Sequence, residues 1–190
     1  MMKTSCFTSI IVGFVSLLVL GESAGADLVN GDFTYGISGW DTAGLAPVVW
    51  SEDDQAALFQ PDGTTANSTL SQEDITVNSE FPWLSFDVFM LTEGGETDVF
   101  TASLGGDELY ELLSSDPIVG GVIPVTLNVS DFIGAGPVKL EFNLAHVYTD
   151  DSTTTVLLDN VALVPVPGAL ILGSIGLSLA GCWLGKRRTL

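Results

Sequence analysis

Hydrophobic and polar residues alternate along most of the middle of this chain. Residues 138–144 place Val, Leu, Phe and Leu at every second position, with Lys, Glu and Asn between them, and residues 123–130 show the same period of two. Such a period puts alternate side chains on opposite faces of a β-strand. No 3.6-residue helical pattern persists in this part of the sequence, so the pattern predicts an all-β fold.

Similar apolar runs extend this prediction to the rest of the middle region. They predict further strands at residues 46–50, 56–60, 70–77, 83–91, 98–104, 109–112 and 154–163. Gly105-Gly106-Asp107 separates two of these runs and predicts a hairpin turn. Eight or nine short strands between Gly-, Asp- and Ser-containing turns predict a single antiparallel β-sandwich, a jelly roll, over residues 27–163.

The charge is distributed very unevenly. The chain has 24 acidic and 5 basic residues, and all of the acids except Glu22 lie between Asp27 and Asp159. Lys139 is the only basic residue in that stretch. Nucleic acids and anionic membrane surfaces need a basic face, so the middle region is not expected to bind either of them.

Residues 1–26 have the three parts of a secretory signal peptide. Lys3 gives a positive start, residues 9–20 are uncharged and mostly apolar, and Ala24-Gly25-Ala26 is a small-x-small cleavage site. We expect cleavage after Ala26. The alternative is a membrane anchor that stays attached.

Residues 161–185 are uncharged, and residues 168–185 are long and apolar enough to cross a bilayer, or nearly so. Lys186, Arg187 and Arg188 follow at once and, by the positive-inside rule, hold the C-terminus in the cytoplasm. The sequence therefore predicts a C-terminal transmembrane helix, with the acidic middle on the outer side of the membrane.

This tail resembles a PEP-CTERM sorting signal. The resemblance lies in Val164-Pro165-Val166-Pro167-Gly168, followed by an apolar helix and the basic cluster, within residues 164–190. It implies processing by exosortase, a membrane enzyme of bacteria that make exopolysaccharide. Val166 replaces the Glu that is usual between the two prolines. The alternative is an ordinary tail anchor with a proline-rich neck.

Two motifs resemble the first and last strands of galactose-binding-like jelly rolls, which include many carbohydrate-binding modules. They are residues 28–33 with Ser38-Gly39-Trp40, and residues 156–163. The resemblance implies a structural Ca²⁺ where the two strands meet, with ligands from Asp32, Thr34 and Asp159. Thr34 stands where the family often has Glu. The alternative is that Asp159 ties the last strand by hydrogen bonds alone.

Sugar binding would need exposed aromatic rings with polar neighbours. The candidates are Trp50, Trp83 and Tyr110, together with Tyr35 and Tyr148. Trp40 is expected inside the domain. Packing in the core is the alternative for each candidate ring. The acidic groups in the predicted turns are expected to be a solvated surface, with weak binding of divalent ions as the alternative.

Catalysis has little support in the sequence. His146 is the only histidine, and no Ser or Cys lies in a nucleophile motif. We therefore expect a non-catalytic, exported protein anchored at the bacterial surface, with a structural or adhesive role in the envelope or exopolysaccharide. The alternative is a carbohydrate-binding module that captures a defined glycan. A hydrolase would instead require two carboxylates facing each other in a cleft.

Overall fold

A computed structural model of the chain describes residues 28–60, 67–93, 98–116, 120–146 and 153–165. Ten strands lie in these residues: β1 Asp41–Gly44, β2 Val49–Ser51, β3 Ala56–Phe59, β4 Asn67–Ile75, β5 Trp83–Glu93, β6 Val99–Leu104, β7 Asp107–Leu113, β8 Val122–Asn128, β9 Val138–Ala145 and β10 Thr153–Val164. A short 3-10 turn, Ser130–Phe132, follows β8.

The strands form two five-stranded antiparallel sheets. The first sheet has the order β1-β4-β9-β6-β7, and the second has the order β2-β3-β10-β5-β8. Consecutive strands often lie in different sheets, so the chain crosses repeatedly between the two layers. The predicted all-β antiparallel sandwich is confirmed.

The core lies between the sheets and follows from the alternation in the sequence. On β5 the buried side chains include Phe86 and Val88, and on β9 they include Leu140 and Phe142, each at most 1% exposed. The rings of Phe86 and Phe142 meet edge to face across the sandwich at 5.2 Å. Full burial of such a side chain contributes roughly 1.5–3 kcal/mol. The sequence has no cysteine between Cys6 and Cys182, so this apolar packing is not supplemented by a disulfide within the described residues.

The opening motif differs from its prediction in one respect. Residues 28–40 form a series of turns and not a strand, and the first strand begins only at Asp41. The reason is local: the side chain of Asn30 donates to the carbonyls of Gly36 and Ser38 and accepts from the N–H of Tyr35. Those bonds close the segment on itself and leave little backbone free for a sheet ladder.

The two resemblance motifs do meet in space. The backbone N–H of Val161, on β10, donates to the carbonyl of Gly31 at 2.8 Å. Trp40 is 7% exposed, as expected, and its indole Nε1 donates to the carbonyl of Asn30. The opening segment therefore closes one end of the core against the last strand.

The predicted terminal segments fall almost wholly outside the described residues. This applies to the predicted cleavage site at Ala24 and Ala26, to Val166, Pro167 and Gly168, and to the basic residues Lys186, Arg187 and Arg188. β10 ends at Val164, directly before Pro165, which lacks the N–H needed to continue a ladder. Across the described ranges, none of the helices has the length and apolar character needed to span a membrane.

Candidate functional site

The outer face of the second sheet carries a continuous row of apolar side chains, one from each strand. In sheet order the row is Val49, Leu58, Leu157, Phe89 and Val122, each in register with the next. The outer face of an antiparallel sheet is usually polar. Here Val49 and Val122, at the two ends, are 46% and 68% exposed. This apolar row is therefore a feature that core packing does not explain.

A group of carboxylates lies beside the apolar row. Asp87 on β5 and Asp159 on β10 are cross-strand partners. Each lies two residues along its strand from Phe89 or Leu157, and therefore on the same face of the sheet. Asp54 joins them from the turn between β2 and β3. Three separate segments thus bring their carboxylates to one place.

The local backbone explains how Asp159 and its neighbour are oriented. The register of β10 shifts between Asp159 and Ala162, and Asn160 has a φ of 54°. A bulge of this kind redirects side chains, and Asn tolerates the left-handed conformation better than most residues. Asn160 Nδ2 consequently donates to Asp87 Oδ2 at 2.9 Å, while its backbone N–H donates to Asp159 Oδ1 at 2.7 Å.

Together these groups line a surface pocket of about 450 Å³. Its lining residues are Asp54, Ala56, Asp87, Phe89, Val122, Leu157, Asp159 and Asn160. Ligand pockets in proteins are commonly 300–1,000 Å³, mostly apolar, with a few convergent polar groups. Leu157, Phe89 and Val122 of the apolar row supply the floor of this pocket, and the three carboxylates and Asn160 supply its polar wall.

The pocket is electrostatically negative. Burial raises the pKa of Asp159 above its ordinary value, and the nearby charges of Asp87 and Asp32 raise it further, against the opposing effect of the backbone hydrogen bond from Asn160. Asp54 Oδ2 accepts from the Ser51 hydroxyl at 2.7 Å. The hydrogen-bond donors to the three carboxylates are thus neutral groups.

The aromatic candidates predicted from the sequence occupy different places. Trp83 lies on the outer face of the second sheet, but at the far end of β5, in register with Asn128 and Val164. Trp50 is in register with the fully buried Ala57, which places it on the core side of an edge strand, where it is 36% exposed.

The remaining candidates that the structure describes also lie outside the pocket. Tyr110, on edge strand β7, packs its ring edge to face against Phe86 at 5.6 Å, and burial, with a further contribution from Asp116, raises its pKa. Tyr35 is 79% exposed in the opening turns. Tyr148 lies outside the described residues. None of the four rings that are described lines the pocket, whose aromatic ring is that of Phe89.

The implied Ca²⁺ ligands lie near one another without forming a cluster. The carboxylate of Asp32 accepts hydrogen bonds from the backbone N–H and hydroxyl of Thr34, and the carboxylate of Asp159 accepts from Asn160. The ranges described contain no group of three or more His, Cys, Asp or Glu side chains arranged to hold a metal ion. Calcium binding stays a prediction. A chelator that lowers the melting temperature, with the effect abolished by Asp159→Ala, would support it.

His146 belongs to the interior and not to the pocket. Its Nδ1 lies 2.6 Å from Asp98 Oδ1, and both side chains are 1% exposed. Asp98 is further held through its backbone, whose N–H donates to the Ser114 hydroxyl. This pair ties the ends of β6, β7 and β9 together.

Comparison with known proteins gives a fold. No protein-family model and no curated protein matches the chain. The solved structures that resemble it with TM-scores of 0.50 or above include three that are named as carbohydrate-binding modules. One comes from a study of promiscuous specificity in carbohydrate-binding modules of the β-sandwich superfamily, and has a TM-score of 0.54 at 13% identity. The match covers 74% of this chain and 63% of that one.

The other two are matched over nearly their whole length. A family 61 carbohydrate-binding module in complex with β-1,4-galactotriose has a TM-score of 0.50 at 18% identity, covering 76% of this chain and 100% of that one. A family 28 module specific for non-crystalline cellulose has a TM-score of 0.50 at 18% identity, covering 72% and 93%. At these identities the similarity establishes the fold alone, which is a two-sheet β-sandwich similar to those of these three modules.

Proposed function

We propose that the described domain is a non-catalytic glycan-binding module, and that the glycan lies in the pocket on the outer face of the second sheet. The observation that carries this proposal is the pocket's construction from an apolar row beside a wall of carboxylates and an amide. A pyranose ring has C–H faces that pack on apolar or aromatic side chains and hydroxyl edges that donate to carboxylates. Phe89 and Leu157 serve the first purpose, and Asp87, Asp159 and Asn160 serve the second.

The structural comparisons support the same class of ligand. The solved modules of this fold include one bound to a galactose oligomer and one specific for cellulose. We extend this ligand class, an extracellular polysaccharide, to the present chain. The proposal fits the adhesive role in an exopolysaccharide matrix that the sequence predicts.

The experiment is gel electrophoresis of the full chain, in mild detergent, through gels that contain soluble cellulose derivative, galactan or glycol chitosan. Retardation in at least one gel is expected. Phe89→Ala and Leu157→Ala should weaken the retardation by about tenfold or more, because both remove contact area from the pocket floor. Leu45→Ala is the matched control, since Leu45 is an apolar residue 77% exposed and outside the pocket. Absence of retardation in every gel would refute the proposal.

Hydrolysis is the second function that a specific observation raises. Asp87 and Asp159 are cross-strand partners, whose Cβ atoms are typically about 5 Å apart, and retaining glycosidases place two carboxyl groups at about this separation. We propose binding without cleavage, since the modules that share this fold are named for binding. Incubation with each polysaccharide should release no new reducing ends. Release that Asp159→Asn abolishes would instead identify an enzyme.

Export and anchoring form a separate proposal that depends on the two terminal segments of the sequence. Deletion of residues 168–190 should move the protein from the membrane fraction to the medium. A truncated chain that stays in the membrane fraction would contradict a C-terminal anchor.

Processing by exosortase is proposed from the Pro-x-Pro motif. Replacement of Pro165 and Pro167 by alanine should leave the tail uncut in a host that makes the enzyme, as judged by the mass of the mature protein. Unchanged processing would show that the motif is only a neck between domain and membrane.

A further inference from the structure

The charge of the pocket defines its ligand more closely than its shape does. The carboxylates of Asp54, Asp87 and Asp159 reach it from a turn and from two different strands. Their hydrogen-bond donors, the Ser51 hydroxyl and the amide groups of Asn160, carry no charge. These contacts orient the carboxylates but do not neutralise them.

The described part of the chain places no Lys or Arg side chain at this pocket. Its only Lys or Arg is Lys139, which lies on β9 in the first sheet. The Lys139 ammonium is 2.7 Å from Glu141 and 3.8 Å from Glu73. His146 is buried against Asp98. Within the described residues, no Lys or Arg side chain therefore lines this pocket.

An anionic glycan is disfavoured by the same arrangement. A uronic acid or a sulfated sugar on the apolar row would bring its charge within a few ångströms of the carboxylates. Like charges at such separations repel each other strongly, and more so in a partly enclosed pocket than in water.

We propose that the pocket recognises a glycan of amino sugars with free, protonated amines. This inference rests on the proposed glycan-binding function and specifies the ligand class. The pyranose face packs on Leu157, Phe89 and Val122, and the ammonium group donates charge-assisted hydrogen bonds to Asp87 and Asp159. The pocket and its apolar floor define the site, and the carboxylates select the charge of the ring that occupies it.

The test compares three hexamers that share a β-1,4-linked glucose backbone and differ only at carbon 2. They carry an amine (glucosamine hexamer), an acetamide (N-acetylglucosamine hexamer) or a hydroxyl (cellohexaose). Binding to the full chain is measured by calorimetry at about pH 6 and about 0.15 M salt, where long-range attraction is screened beyond roughly 8 Å. The amine hexamer should bind at least tenfold more tightly than either neutral hexamer.

Variants separate the pocket from the general negative charge of the protein. Asp87→Asn and Asp159→Asn should each weaken binding of the amine hexamer about threefold to tenfold, and should leave binding of the neutral hexamers little changed. Glu108→Gln together with Glu111→Gln is the control, because both residues lie on β7 in the first sheet. That control should bind like the parent chain. Circular dichroism verifies that each variant is folded.

The contrary results distinguish the two proposals. If a neutral hexamer binds as tightly as the amine, and Phe89→Ala abolishes this binding, the site binds glycans but the amino-sugar inference is wrong. If no hexamer binds and the gels show no retardation, both proposals fail. If a lysine hexapeptide binds as tightly as the amine hexamer, or the Glu108/Glu111 control loses binding equally, the interaction is only electrostatic and the inference is overturned.

Discussion

Gly31 lies where the opening segment packs tightly against the last strand. A Cβ atom at this position would lie 1.8 Å from the carbonyl oxygen of Val161. No rotamer change can relieve a contact between Cβ and backbone, so Gly31→Ala must displace the segment from β10. We expect the free energy of unfolding to fall by about 2–4 kcal/mol, through overpacking and disruption of the hydrogen bond from Val161 to Gly31.

Gly121→Ala is the matched control, since nothing lies within 4 Å of the Cβ that it adds. Chemical denaturation of Gly31→Ala, of this control and of the parent chain measures the loss of stability. The control should change stability by less than about 0.5 kcal/mol. Equal stability of the two variants would show that the opening segment does not contribute to the folded domain.

Asp159 gives a pH dependence whose sign follows from its environment. Its pKa is raised above the ordinary value of an aspartate in the folded protein, chiefly by burial and then by the charges of Asp87 and Asp32. The folded state therefore holds this proton more firmly than the unfolded state does. The folded domain loses stability as the pH rises from the unfolded-state pKa through the folded-state pKa.

Asp159→Asn should consequently be more stable than the parent chain at neutral pH, because it keeps an acceptor for the Asn160 N–H without the charge. The gain should shrink as the pH is lowered and disappear below the ordinary carboxyl pKa. Denaturation curves at several pH values measure it, with the exposed Asp53→Asn as control. A gain that does not change with pH would assign the effect to packing and not to charge.

Only part of the pocket's lining could be predicted from the sequence. Asp159 was predicted to be a functional residue, whereas Phe89, Leu157 and Val122 were not. Alternation assigns every second apolar residue to the core, and these three occupy the other face. The available clue is Val156-Leu157-Leu158, where three consecutive apolar residues break the period of two and leave one on the outside. Which outward residues come together depends on strand order, which periodicity does not give.

At the scale of elements, the hairpin between β6 and β7 was predicted from Gly105-Gly106-Asp107 and is confirmed. Gly106 has a φ of +91°, and nothing lies within 4 Å of an added Cβ. Substitution there tests backbone conformation without steric overlap from neighbours. Gly106→Val should lower the free energy of unfolding by about 1–2 kcal/mol, and Gly106→Asn should cost less, because Asn tolerates positive φ better. Similar losses for the two variants in thermal denaturation would contradict this explanation.

Most strands were predicted within a few residues of their bounds, and the exception has a physical reason. β1, Asp41–Gly44, has no alternation, and all four of its residues are exposed. It forms an edge of the first sheet through backbone pairing with β4. Side-chain periodicity reports burial, so a strand held mainly by its backbone leaves no periodic pattern. The opening motif failed in the opposite way, since its Phe33 and Trp40 are buried although they lie in turns and not in a strand.

At the scale of the whole molecule, the sequence predicted two stacked antiparallel sheets because alternation with short turns has few other solutions. It did not predict which strands are neighbours. The separation of β9 from β10 into different sheets, for example, depends on the packing of the entire core. The outer face of the second sheet, and therefore the candidate site, exists only once β3, β10, β5 and β8 are side by side.

The acidic surface has a consequence for stability that belongs to the whole domain. Between Asp27 and Asp159 a single lysine accompanies 23 acidic residues, so repulsion among carboxylates opposes the compact state. Salt screens this repulsion, since the Debye length falls from about 30 Å at 0.01 M to about 3 Å at 1 M. The melting temperature should therefore rise by several degrees as NaCl is increased over this range.

Replacing exposed Glu52 and Glu108 by lysine should reduce that rise, because it removes part of the repulsion that salt relieves. A melting temperature that falls with salt would contradict this prediction. It would mean that attractive ion pairs outweigh the repulsion, although Lys139 forms ion pairs only with Glu73 and Glu141 among the described residues.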